Sequence, residues 1–162
     1  MTCNASSNQN SNKGILDNVK EYIGKTKWVI LSTVTQENLP ALRTLGSIVN
    51  DDLNIYFSTG KNTAKVAQIE SNPFVTLLFQ HEGQELATFI NVTYTGKAEK
   101  VSSEQELAKA IALLSNRSPR FKERAEKGQL DETAIFKVEP VRIKYLDYSQ
   151  GIGPAAVQEI VL

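Results

Sequence analysis

Apolar residues along this chain change their period several times, and each change marks an element. Ile15, Leu16, Val19, Tyr22 and Ile23 recur at helical spacing and Gly24 supplies a stop, which predicts a helix over 15–23. Residues 28–35 are β-branched and strongly apolar, as in a buried strand. A polar turn at 36–38 follows. Pro40 then opens a second strand over 41–49, at the position where its missing N–H matters least. Asn50, Asp51 and Asp52 have hairpin-turn composition, and 53–58 reads as a third strand. Links this short join antiparallel neighbours, so the three strands form a meander.

The period then returns to helical. Asn62 or Thr63 caps a helix that turns Val66 and Ile69 inward and ends at Pro73. Strand four is 74–79, a loop covers 81–84, and 87–101 is a long strand with a bulge expected at Gly96. Ser103 and Glu106 have the spacing of a capping box, and Leu107, Ile111 and Leu114 line the helix that follows. Residues 116–128 are basic and polar, a loop with a short helix. Alternation resumes over 134–147, with Pro140 implying a bulge or an edge.

The pattern leaves 1–13 as an Asn/Ser-rich segment without order, 14–147 as one domain, and 148–162 as a tail. The apolar end of that tail, Ile160 to Leu162, is suited to docking, with a partner subunit as one place for it. Six strands in this order, with helices inserted after the third and fifth, make a mainly β fold: a six-stranded antiparallel split β-barrel. Helical crossovers do not alternate with strands, which argues against a doubly wound sheet.

Composition narrows the classes. The chain has 162 residues, about one domain, and 18 basic side chains against 18 acidic ones. That balance gives no basic stripe for nucleic acid and no patch for an anionic membrane. One cysteine, Cys3, and one histidine, His81, cannot build a disulfide framework or a Cys/His zinc site, and a cytosolic location fits. No apolar run approaches the ~20 residues of a spanning helix.

Candidate chemistry concentrates in 56–65, where a strand end, a polar turn and a helix start bring together N–H groups, hydroxyls and lysines. A phosphate needs those groups. The plain alternative is a solvent-facing Lys65 and an ordinary Thr63 cap. Arg43 lies mid-strand among apolar neighbours and requires an anionic partner, either a phosphate or a carboxylate of the chain. Trp28, Tyr56 and Phe57 read as core, His81 as a loop residue, and the basic run from Arg117 to Lys127 as a solvated face. No Ser-His-Asp set, paired carboxylates or Walker loop is present.

The ordered set of segments resembles the pyridoxamine 5′-phosphate oxidase-like family, the FMN-binding split barrels. The segments are the apolar first strand, Pro40-Ala-Leu-Arg43, the aromatic third strand, the helix from Lys65 to Pro73, Tyr94-Thr-Gly96-Lys-Ala-Glu99, and Val138-Glu-Pro140-Val-Arg-Ile143. The resemblance spans 15–147 and points to the general-stress branch of the family. It implies an FMN with Arg43, Thr44 and Leu45 along the flavin, and Ser58 and Thr59 near the ribityl chain and phosphate. It further implies Lys65 on the phosphate, with Lys61 and Thr63 beside it, and Asn91 on the isoalloxazine where the family often has Gln. A homodimer with flavin at the subunit interface is also implied. Residues 116–118, Tyr145 and Leu146 would complete the partner's site.

The family's biosynthetic oxidase ends in a basic, His-containing motif that grips the substrate phosphate. Residues 146–154 here contain no Arg or His, so oxidation of pyridoxamine phosphate is not expected. Some split barrels bind haem, but a single loop histidine does not suit that role. The resemblance leaves an FMN oxidoreductase supplied by a reduced nicotinamide, a flavin binder without turnover, and a non-flavin binder on the same barrel.

Overall fold

The computed structural model describes the backbone from residue 5 and the side chains of residues 13–162. Its elements are α1 (Ala5–Lys25), β1 (Val29–Val34), β2 (Pro40–Leu45), β3 (Ile48–Asp51), β4 (Asn54–Gly60), α2 (Ala64–Ser71), β5 (Phe74–Gln80), β6 (Ile90–Lys100), α3 (Glu104–Arg117), α4 (Pro119–Glu126), β7 (Thr133–Asp147) and β8 (Val157–Val161). The expected split barrel is present, with eight strands rather than six.

Both extra strands have a physical origin. The expected strand over 41–49 bends at Gly46 and Ser47 into β2 and β3. Its first half pairs with β1 and its second half with β4. The sheet order is β2-β1-β5-β6-β7-β4-β3, so the two end strands are consecutive in sequence and joined by two residues. One bent strand therefore curls the sheet back on itself. The second addition corrects the tail: 157–161 forms β8 and pairs antiparallel with β7 from Arg142 to Leu146. Ile160 is buried opposite Ile143, so the apolar terminus docks on its own sheet.

The amino-terminal expectation is also corrected. Residues 1–4 lie outside the described residues, and the helix begins at Ala5, inside the segment expected to lack order. Once Val19, Tyr22 and Ile23 are buried, each residue added upstream needs only helix propagation, without a new nucleus.

β7 spans both halves of the sheet. Thr95 pairs with Arg142 but Gly96 pairs with Pro140, which leaves Val141 as the extra residue of a bulge. A Cβ at Gly96 would stand 2.4 Å from the Glu139 carbonyl oxygen, so the close strand crossing admits only glycine. Inward residues fill the barrel, among them Val29, Leu31, Phe57, Leu77, Tyr94, Phe136 and Ile143. Tyr94 is fully buried, and its hydroxyl donates within reach of the Leu53 and Val138 carbonyls. Tyr56 packs in a second cluster with Leu114 of α3 and Phe121 of α4. Tyr56 and Phe57 are core as expected, whereas Trp28 is half exposed. It precedes β1 on the side away from inward-facing Val29. Among the described residues no helix is long and apolar enough to cross a membrane.

Candidate functional site

Alternation along β2 turns Ala41, Arg43 and Leu45 inward, against the inward side chains of β1. Leu45 joins the barrel core, but Arg43 lies nearer the barrel end, where α2 packs over β1. Two neutral groups meet it there. Arg43 Nη1 donates to Thr33 Oγ1 at 2.6 Å, and Nη2 donates to Gln68 Oε1 at 2.8 Å. The Thr33 hydroxyl in turn donates to Gln68 Oε1 at 2.6 Å. Thr33 is 1% exposed, so this triangle is built into the wall of the barrel.

Lys65 approaches from the first turn of α2. Its Nζ donates to Thr59 Oγ1 at 2.7 Å. Burial pushes the Lys65 ammonium down from its ordinary value, and the nearby Arg43 guanidinium pushes it further. Burial pushes Arg43 down as well. Among the described residues neither cation has a carboxylate within 4 Å; the ion pairs of the chain are made elsewhere. Two half-buried cations thus face one another and are held only by neutral oxygens. Such a pair is costly without an anion, and a phosphate would supply one. The guanidinium offers a planar fork and the ammonium a point charge, a combination suited to a terminal phosphate.

The other expected site residues are dispersed. Ser58, next to Thr59, shares a short hydrogen bond with Ser47 across the β3–β4 corner. Lys61 turns to Glu132, at 3.6 Å, and its backbone N–H donates to the Glu132 carbonyl. Thr63 stands at the N-cap of α2, but its hydroxyl donates to the Gly60 carbonyl, so the side chain does not cap the helix. Thr44 faces outward, and the Leu45 side chain is in the core. Asn91 lies on β6, opposite Gln80 of β5, and is three strands from β2, about 14 Å by strand spacing. Arg117 donates to the carbonyls of Gly24 and Thr26 and so closes the end of α1. Ser118 caps α4.

Thr33 and Gln68 are absent from the sequence-derived set. The signal for Thr33 was a hydroxyl at an inward position otherwise held by Val29 and Leu31. Gln68 carried none beyond its place one turn after Lys65. His81 stacks on Tyr22 at 3.8 Å, and its Nε2 lies 3.0 Å from both the Tyr22 carbonyl and Thr26 Oγ1. Its ring is spent on tying the loop to α1.

Comparison with known proteins agrees with this architecture. The model of the family described as pyridoxamine 5′-phosphate oxidase matches residues 15–147. No curated protein matches the chain by sequence. Solved structures with the same fold include the conserved hypothetical protein Rv2991 from Mycobacterium tuberculosis, 17% identical with TM-score 0.70, covering 82% of this chain and 84% of that one. General Stress Protein 26 from Bacillus anthracis is 19% identical with TM-score 0.64, covering 91% and 98%. The heme storage protein HutZ from Vibrio cholerae is 20% identical with TM-score 0.64, covering 76% and 88%. At these identities the likeness is one of fold.

Proposed function

The chain belongs to the pyridoxamine 5′-phosphate oxidase family, and on that premise we propose that it binds FMN, with Arg43 and Lys65 on the terminal phosphate. The observation that carries this reading is the pair of half-buried cations with no carboxylate within 4 Å among the described residues. Thr33 and Gln68 hold the guanidinium in one orientation without neutralising it, which leaves its charge for a ligand. Thr59 does the same for the ammonium. Bound FMN would supply hydride transfer between a reduced nicotinamide and an oxidised acceptor. The chain's part is to hold the phosphate. Thr44, Ser58 and Asn91 are the residues we assign to the rest of the cofactor.

The same geometry supports a second reading, flavin held without turnover: the cluster grips an anion and places no side chain as acid or base. HutZ stores heme, but the one histidine of this chain is engaged with Tyr22 and Thr26, so that role has no histidine ligand here. We further propose a homodimer. The outward face of β2, β1, β5 and β6 carries an uncharged patch of Leu42, Thr44, Ile30, Ser32, Thr76, Leu78, Thr93 and Thr95, bounded by Lys97 and Glu99 at the far end of β6. An uncharged patch of this kind suits a second copy. A cytoplasmic location accords with a single cysteine.

The visible spectrum of the purified protein tests the cofactor. Flavin absorbance, as isolated or after adding FMN, is expected; a colourless protein that takes up no FMN overturns the proposal. Anaerobic addition of a reduced nicotinamide separates the two readings. Bleaching marks an oxidoreductase, and unchanged absorbance marks a binder.

A further inference from the structure

A cavity of about 290 Å³ lies under the last turn of α1, between that helix, β3 and the end of α3, and no residue of the Arg43–Lys65 cluster lines it. Its floor is apolar: Ile23, Ile48, Ile55 and Phe79 are all buried there. One wall is Gly24. This glycine lies inside α1, not beyond its end, and its φ is not in the left-handed region. The backbone therefore does not require glycine, and glycine weakens a helix relative to alanine. Packing does not require it either. A Cβ at Gly24 would meet only Asn50 Oδ1 within 4 Å, at 3.5 Å, an ordinary contact. The effect of the missing side chain is to leave the cavity open.

Arg117, in the last turn of α3, stands at the mouth. Its Nη1 donates to the Gly24 carbonyl at 2.9 Å and its Nη2 to the Thr26 carbonyl at 2.7 Å. A guanidinium carries five N–H groups, so three remain. No carboxylate lies within 4 Å of Arg117 among the described residues. The two carbonyls orient the group and leave its charge in place. An apolar floor, a side-chain-free wall and one oriented cation thus converge.

We propose that this cavity binds a small aliphatic monocarboxylate. The hydrocarbon chain would lie on the four apolar floor residues, and the carboxylate would meet the Arg117 guanidinium. Charge-assisted bonds between these two groups are among the stronger hydrogen bonds. One cation matches one negative charge. The volume is at the small end of ligand pockets, which suits a chain of a few carbons. This site does not rest on flavin binding.

Hexanoate titrated into the full chain by calorimetry tests the proposal. Saturable binding is expected. Affinity should rise about fourfold for each methylene added from butanoate to hexanoate, the worth of burying one CH₂. Neutral hexanamide should bind about tenfold more weakly or worse. Added FMN should not displace the acid. Gly24→Leu should abolish binding by filling the opening, and leucine favours the helix more than glycine does, so the variant keeps its fold. Arg117→Gln should weaken binding about tenfold or more. Thermal unfolding establishes that each variant is folded; if Arg117→Gln is not, Gly24→Leu and the amide decide. The proposal is overturned if the wild type shows no saturable binding, if affinity is indifferent to chain length, or if the amide binds equally. Displacement by FMN overturns it too, as does a folded Gly24→Leu or Arg117→Gln that binds like the wild type.

Discussion

Lys65 Nζ donates to Thr59 Oγ1 at 2.7 Å and so ties the first turn of α2 to the end of β4 across the intervening turn. The bond positions the ammonium next to Arg43 while leaving its charge uncompensated. Lys65→Ala is expected to weaken FMN binding by on the order of 1–3 kcal/mol, the worth of a charge-assisted hydrogen bond, with little loss of folding stability. Titration with FMN followed by flavin fluorescence measures the affinity. An unchanged dissociation constant would show that another group holds the phosphate.

The same lysine predicts a pH dependence. Burial and Arg43 hold its folded-state value below the ordinary 10.5. Without ligand, the unfolded chain therefore binds the Lys65 proton more tightly than the folded chain does. Its contribution to stability rises with pH through the window between the depressed value and 10.5. FMN affinity should move the opposite way, falling as the ammonium deprotonates in that window. Lys65→Arg should keep affinity constant to higher pH. Binding isotherms across the alkaline range for both proteins check the sign, and parallel curves would remove Lys65 from the site.

Thr33 bridges Arg43 and Gln68 inside the barrel wall. Thr33→Val preserves shape but leaves a guanidinium N–H and the Gln68 oxygen without this partner. Destabilisation of about 1–3 kcal/mol is expected, read as a lower urea midpoint with an unchanged slope. FMN should restore part of that loss if the cation pair is its phosphate site, by linkage of ligand binding to folding.

Gly96 has no room for a side chain, because the Glu139 carbonyl oxygen would lie 2.4 Å from a Cβ. The obstruction is backbone, which a rotamer change cannot relieve. Gly96→Ala should cost on the order of 1–3 kcal/mol and disturb the bulge at Val141. Thermal unfolding compared with the wild type measures it; an unshifted transition would mean that β6 and β7 can separate at no cost.

Leu42 is 69% exposed in the uncharged patch of the outer face, so Leu42→Glu should leave the fold intact. In a homodimer built on that face, the substitution places charges against apolar surface at a two-fold interface. Sedimentation should then show a dimer for the wild type and a monomer for the variant. A dimeric variant would move the interface elsewhere.

Several elements were legible before folding because they rest on local chemistry. The strand alternation, the Ser103 cap, the Gly96 bulge and the helix start at Lys65 each express a side-chain period or a backbone requirement within a few residues. The division of 41–49 into two strands was not legible. Nothing local distinguishes a bend at Gly46 from a glycine in a continuous strand, and the bend follows from β1 and β4 competing for opposite ends of one segment. The strand at 157–161 was hidden for a similar reason: a lone apolar end needs the free edge of β7 to become a strand.

The sequence by itself determined the fold class and the presence of Arg43, Thr59 and Lys65, because burial and charge bias each residue where it stands. Only the tertiary structure decided which of them meet. Arg43 finds Thr33 and Gln68 across ten and twenty-five residues, Lys61 is drawn off by Glu132, and Asn91 lies three strands away. Contacts at that range depend on strand order and register. Those are set by how the whole barrel packs its apolar faces, a property no single stretch of the chain carries.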